Sequence, residues 1–307
     1  MGKRTRVQLA AALMCWPAVA CAWPNDAQSI IERGRESTTL DIDNDSIPFR
    51  NNDGLYTSGI RITRSYRLRE TGGWRSLAWR FGQQLYTPKH VRTPPELLGP
   101  LDRPYAGWLY GGASYRVEAD DGSERAWGLD FGCLGPCAGG AATQKFFHQL
   151  LNQPRPLGWG SQSSSQPGLV AHVGARAPSY RLAAGADLRP GWALRAGNIF
   201  TDLTLDATLR AGRLRAADGE AVAYGFFRAA VRAVAYDATL QGGLFSSDPG
   251  RTVRPRRGTG EIEAGLQWQG DAWAVRVSLV GRSNEIAGLS ESQGRESFVR
   301  LSVSYSP

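Results

Sequence analysis

Beyond residue 22 the chain contains no continuous apolar run of 18 residues, which excludes a helix that crosses a membrane. It has no Lys/Arg-rich run with interleaved aromatics, so a nucleic-acid partner is not expected. Neither Gly-x-Ser-x-Gly nor Ser-x-x-Lys occurs, and a serine nucleophile has no support. Histidine is scarce, with only His90, His148 and His172. Of four cysteines, Cys15 and Cys21 lie near the start and Cys133 and Cys137 flank a Leu-Gly-Pro turn. In an exported chain such a close pair reads as a local disulfide or as two free thiols, whereas a metal site would need further His or Cys nearby.

The start of the chain places the protein outside the cytoplasm. Lys3, Arg4 and Arg6 precede a mostly apolar stretch from Val7 to Ala20 and an Ala20-Cys21-Ala22 exit. A charged head, an apolar segment too short to span a bilayer and small residues at the end predict a signal peptide over 1–22. The alternative, an acylated Cys21, is disfavoured by Ala18 where a lipobox prefers Leu or Val. Residues 23–307 then form one domain with 33 basic and 28 acidic side chains, a net charge of +5.

Ten Trp, ten Tyr and 37 Gly accompany a mean hydropathy of −0.34, an odd balance for a soluble globule. Segment after segment alternates with period two between Gly, Pro and Asp turns. Trp273, Val275, Val277 and Leu279 take one face while Ala274, Arg276 and Ser278 take the other; Val299, Leu301, Val303 and Tyr305 alternate with Arg300, Ser302 and Ser304. From Thr38 to Asn44 through Phe298 to Tyr305 we read about twelve such segments, one of them Arg181 to Leu188. An even count, arginine opposite aromatics and an aromatic near the C-terminus predict an all-β protein, a transmembrane antiparallel up-and-down β-barrel. A soluble periplasmic β-sandwich is the competing architecture. One stretch breaks the alternation: Ala141 to Asn152 has helical periodicity between Gly139-Gly140 and Pro154, with Gln144 and His148 on one face. In a barrel this is a short helix in an extracellular loop.

Polar residues gather at the ends of two early segments: Asn44, Asp45, Asp53 and Thr57. They form ordinary turn caps or hold a hard cation through oxygen ligands, and spacing does not decide between these. His148 is either a helix-surface histidine or a base that deprotonates water for ester hydrolysis, with a cation to hold the oxyanion.

Taken together, Asn44-Asp45, Tyr56-Thr57-Ser58-Gly59, Tyr86-Thr87-Pro88, Asp102-Arg103-Pro104-Tyr105-Ala106-Gly107-Trp108, the Gln144 to His148 helix, Gly158-Trp159 and Asp237 to Phe245 resemble the outer-membrane lipid A 3-O-deacylase family along nearly all of the mature chain. The resemblance implies a twelve-stranded barrel with its site between the wall and a helical loop. It implies His148 as the water-activating base, Asn44 and Asp45 at a Ca2+ site, and Thr57 as a site hydroxyl. Arg103 is the candidate cation for substrate or oxyanion, and Gln144 and Lys145 are candidate substrate contacts, with Arg103 and Lys145 directed at glucosamine phosphates. The implied reaction removes ester-linked 3′-acyl chains from lipid A of lipopolysaccharide, in the outer membrane and by a monomer. A non-catalytic structural or binding barrel is the alternative, and a narrow diffusion pore a third. The chain departs from the family after Gly158-Trp159, where Gly160-Ser161-Gln162 leads into Ser163-Ser164-Ser165-Gln166 in place of the family's acids.

Overall fold

The structure, a computed structural model, describes residues 26–45, 56, 58–214, 221–246 and 250–307. The expected signal peptide, Asp53 and Thr57 lie outside the described residues. The strands are β1 (Arg35–Asn44), β2 (Ser58–Glu70), β3 (Gly73–Tyr86), β4 (Ala106–Ala119), β5 (Glu124–Leu134), β6 (Gln166–Arg176), β7 (Tyr180–Ala183), β8 (Ala186–Gly197), β9 (Phe200–Arg213), β10 (Val222–Asp237), β11 (Gly258–Gln269), β12 (Trp273–Arg282) and β13 (Glu296–Tyr305). Antiparallel pairing runs through the whole set, and the β1–β13 and β6–β8 ladders close it into a ring.

Twelve strands make the wall, and β7 is a short addition on β8. The single strand expected from Arg181 to Leu188 is corrected to a hairpin. It turns at Ala184-Gly185, where Gly185 has φ 73°, and the wall strand continues to Gly197. The Leu-Ala-Ala-Gly-Ala sequence there has too little polarity contrast for alternation to reveal a reversal.

Alternation elsewhere sorts the two faces of the wall. Ile62, Phe81, Phe131, Val231, Leu266 and Leu279 all point outward and are exposed. On the inner face Arg80 pairs with Asp130 at 2.6 Å, Arg228 with Glu261 at 2.7 Å and Arg276 with Glu263 at 3.0 Å. A soluble sandwich would bury the first set and expose the second; charges inside and phenyl rings outside fit a wall bathed in lipid. Trp273 and Tyr305 pack with tilted rings, 4.7 Å between centroids, near the short-turn end, as an interfacial aromatic pair.

The two ends of the barrel differ. Connections 45–57, 87–105, 135–165, 238–257 and 283–295 share one end, while 71–72, 120–123 and 270–272 at the other are tight. Outer-membrane barrels carry long loops outside and short turns on the periplasmic side. At the short-turn end helix α1 (Ala27–Arg33) sets Ile30 against Leu77 and Tyr115, and Asp26 accepts the Tyr115 hydroxyl at 2.8 Å.

At the long-loop end the lumen mouth is crossed by a buried ionic cluster. Glu285 accepts from Arg103 at 2.9 Å and also pairs with Arg232. Burial alone would push the Glu285 carboxyl up, but the guanidinium groups of Arg282, Arg232 and Arg103 outweigh it and hold it well below its ordinary 4.5. A carboxylate whose pKa is depressed by folding adds stability above its unfolded value and loses that contribution as the pH falls through the folded one. Urea titrations of the folded barrel are therefore expected to give level midpoints between about pH 7 and pH 5, and falling midpoints below about pH 4.5. In a Glu285→Gln variant the acid-side fall should shrink.

Candidate active site

After β5 the chain makes a single turn at Pro136–Ala138 and enters helix α2 (Gly140–Leu150). A disulfide joins Cys133 to Cys137, with Cα atoms 6.0 Å apart, and fastens this turn to the end of β5. The Cys137 N–H donates to Ser165 Oγ at 3.0 Å, so the far end of the same loop is held beside it. Asn152, at φ 54°, lets the chain leave the helix before Pro154.

Helix α2 packs on β3 and β4. Strand register identifies the side: Phe81 and Leu85 share the outward face of β3, yet Phe81 is exposed and Leu85 buried because α2 covers it. Gln83, on the same face, donates to the Ala138 carbonyl at 2.6 Å. Gly107, the cross-strand partner of Leu85, lets Ala138 approach; a Cβ there would stand 3.1 Å from the Ala138 Cβ. At Gly140 an added Cβ would meet the Trp159 ring at 2.6 Å and Leu85 Cδ2 at 2.9 Å. Gly140→Ala is thus expected to prise the helix from the wall at a cost of about 1–3 kcal/mol. Limited proteolysis of the barrel should then cut within 139–157 faster than in wild type.

On the wall side of α2 lie Gln144 and His148, both buried. His148 Nδ1 is 2.5 Å from the Pro154 carbonyl oxygen. A carbonyl only accepts, so Nδ1 carries a proton, and in a neutral ring Nε2 would be the nitrogen that accepts. Gln144 Oε1 accepts the Trp159 indole N–H at 2.7 Å, which fixes the orientation of the amide. Its Nε2 is buried without a hydrogen-bond partner among the described residues. Trp159 is braced in turn by Tyr105, with ring centroids 5.2 Å apart.

Asn44 closes β1 on the same outer face. Asn44, Ser58 and Leu85 are successive cross-strand partners, and neighbours in such a row stand about 5 Å apart. Asn44 is therefore two strands from the leucine that α2 covers, with buried Asp45 next to it. Asp43, one residue earlier, faces the lumen, where Arg300 donates to it at 2.9 Å and Tyr56 at 3.2 Å.

Gln144 and His148 thus lie on α2 over the outward side of the wall, register puts Asn44 on the same outward face two strands from Leu85, and Lys145 is exposed on α2. Arg103 is on the opposite side, in the lumen mouth. It is fully buried, donates to Glu285 at 2.9 Å and Thr239 at 3.0 Å, and lies 4.6 Å over the inward Tyr86 ring. Among the described residues no three His, Cys, Asp or Glu side chains cluster as metal ligands.

The family described as Outer membrane protein LpxR matches residues 7–306. The chain belongs to the LpxR family. Among solved structures it is similar to LpxR from Salmonella typhimurium, with a TM-score of 0.73 and 20% identity over 88% of this chain and 100% of that one. A more distant likeness is the β domain of the Bordetella autotransporter BrkA, with a TM-score of 0.50 and 12% identity over 89% of this chain and 99% of that one. No curated protein sequence matches significantly. These likenesses show the fold, and the LpxR family makes this an outer-membrane protein whose strands cross the bilayer. No described helix is long and apolar enough to do so.

Within this LpxR-family barrel several supporting residues escape a reading of the sequence. Tyr56 is one: its N–H donates to Glu296 at 2.6 Å and its ring packs on Tyr86 and Phe298 at 5.4 and 5.1 Å between centroids. With Asp43 it braces, from the lumen side, the strand end that carries Asn44. The Pro154 carbonyl is another, because no sequence pattern marks a backbone acceptor. His172 pairs with Asp130 in the lumen at 2.7 Å.

Proposed function

We propose that the protein is a lipid A 3-O-deacylase, hydrolysing ester-linked 3′-acyl chains of lipopolysaccharide at the outer face of the barrel. One observation carries this reading: Gln144 and His148 are buried on the face of α2 whose first turn sets Gly140 against the outward Leu85 of the wall, a side that a membrane-confined ester would reach by lateral diffusion. Membership of the LpxR family and the sequence resemblance support the same chemistry.

In this reading His148 Nε2 takes a proton from a water poised against the ester carbonyl. The Pro154 carbonyl, already accepting from Nδ1, steadies the imidazolium that results. Gln144 presents its spare amide N–H to the substrate, held by Trp159. Lys145, exposed on the same helix, meets a glucosamine phosphate.

Asn44 and Asp45 offer hard oxygen donors of the kind calcium takes, and Asp45 is buried beside Asn44 at the end of β1. With no third acidic or imidazole ligand gathered among the described residues, backbone carbonyls and water would complete the set. Bound there, calcium would supply positive charge for the oxyanion. Helix, wall and strand end all come from one chain, so a monomer suffices.

The test is mass spectrometry of lipid A from cells with and without the protein, in calcium or in chelator. Loss of the ester-linked chain only with protein and calcium is the expected result. Unchanged lipid A in both media would leave the non-catalytic barrel as the better reading.

A further inference from the structure

Helix α2 has three faces, and the wall accounts for only one. At about 100° per residue, Gln144 and His148 form the face that meets β3 and β4. Phe146 and Leu150, with Phe147 beside them, form a second, and Leu151 follows as the cap of the helix; Phe146, Leu150, Phe147 and Leu151 are 60%, 68%, 38% and 56% exposed. Lys145 and Gln149 form a third, polar and exposed.

We propose that α2 is seated in the outer leaflet, with Phe146, Phe147, Leu150 and Leu151 among the acyl chains, so that the bilayer itself covers the outer side of the helix that carries His148.

Three observations lead to the lipid. The apolar face continues the established lipid-facing belt: Leu85, which α2 covers, is four residues along the same outward face of β3 from Phe81, and Phe131 flanks it on β5. Four large apolar side chains side by side form a patch of the kind that marks an interaction surface, and this one adjoins acyl chains. The opposite arc carries Lys145 and amides, which is the division of a helix lying in the interfacial plane with its cation toward anionic headgroups. Because α2 is fastened at its root by the Cys133–Cys137 disulfide and by Gly140 against Trp159, its roll about the wall is fixed. The apolar arc cannot turn inward.

This seat does not depend on the deacylase reading, since an inactive barrel would share it. Its test uses nitroxide labels on single cysteines at Phe146, Leu150 and Gln149, in a background lacking Cys15 and Cys21. The barrel is reconstituted in bilayers of lipopolysaccharide and phospholipid; Cys133 and Cys137, joined to each other, take no label. Collision with oxygen, relative to a water-soluble nickel chelate, is expected to be roughly tenfold higher at 146 and 150 than at 149. Equal ratios at the three positions, or chelate access at 146 and 150, would overturn the proposal. So would exclusion of both reagents with dipolar broadening between labels, the sign of a second copy on this face. Unsubstituted protein allows an independent measurement: a phospholipid with a photoreactive acyl tail should cross-link within 140–152, and cross-links confined to the strands would count against the seat.

Discussion

Replacing His148 by Ala is expected to lower lipid A deacylation by about 10²–10⁴-fold, with the barrel still folded. The ring is buried beneath α2, and its Nδ1–H is committed to the Pro154 carbonyl, so Nε2 is the one ring nitrogen able to accept a proton. Removing the ring takes away both the base and the group that carries the positive charge afterwards. His148→Gln retains bulk and polarity without basicity and is expected to fare no better. Single-turnover assays on purified, reconstituted protein, with heat-modifiable gel mobility as the folding control, measure the loss. Turnover by His148→Ala equal to wild type would end the case for His148 as the base. Gln144→Ala is the graded companion, because one lost donor costs about 10²–10³-fold where that donor meets the developing oxyanion.

The second large effect belongs to Arg103, and it is one of stability. Arg103→Ala removes a partner from a fully buried ionic cluster and leaves Glu285 and Thr239 with fewer donors. Breaking a buried pair from one side costs about 3–5 kcal/mol. The folded barrel should therefore unfold at distinctly lower urea, while turnover per folded molecule changes little. Arg103→Lys is not expected to rescue it, since an ammonium cannot reach Glu285 and Thr239 and also lie flat over Tyr86. The opposite pattern, normal urea resistance with collapsed turnover, would return Arg103 to the substrate. The two residues stand on opposite sides of the wall: His148 on α2 outside it, Arg103 in the lumen mouth.

The barrel is legible in the sequence because lipid outside and ion pairs inside impose a two-residue period that survives in β12 and β13 residue by residue. That period fails at Ala184-Gly185, where small residues blur the contrast between faces. Asn44 and Asp43 make the same point from the other side. Adjacent in sequence and both polar, they stand on opposite faces of the wall, and only the register with Ser58 and Leu85 tells which is which. The helix bearing Gln144 and His148 shows in its own periodicity. Arg103 sits in a distinctive motif, yet a motif carries no information about the side of a sheet. Pro154 and Glu296 act through a carbonyl and a long-range contact, neither of which leaves a local trace.

The seam between β1 and β13 has a consequence for when the chemistry can begin. Asn44 lies at the last rung of that seam, opposite Val299, and the rung before it is locked by Arg300 on Asp43 at 2.9 and 3.1 Å. The first strand made and the last strand made must meet before this end of β1 has its full set of neighbours. A chain still threading into the membrane carries His148 and its helix without a finished Asn44 corner. With Asn44 in the proposed site, assembly itself would be a safeguard: hydrolytic competence would come only with the completed ring, when the protein is already in the membrane whose lipid it would cut.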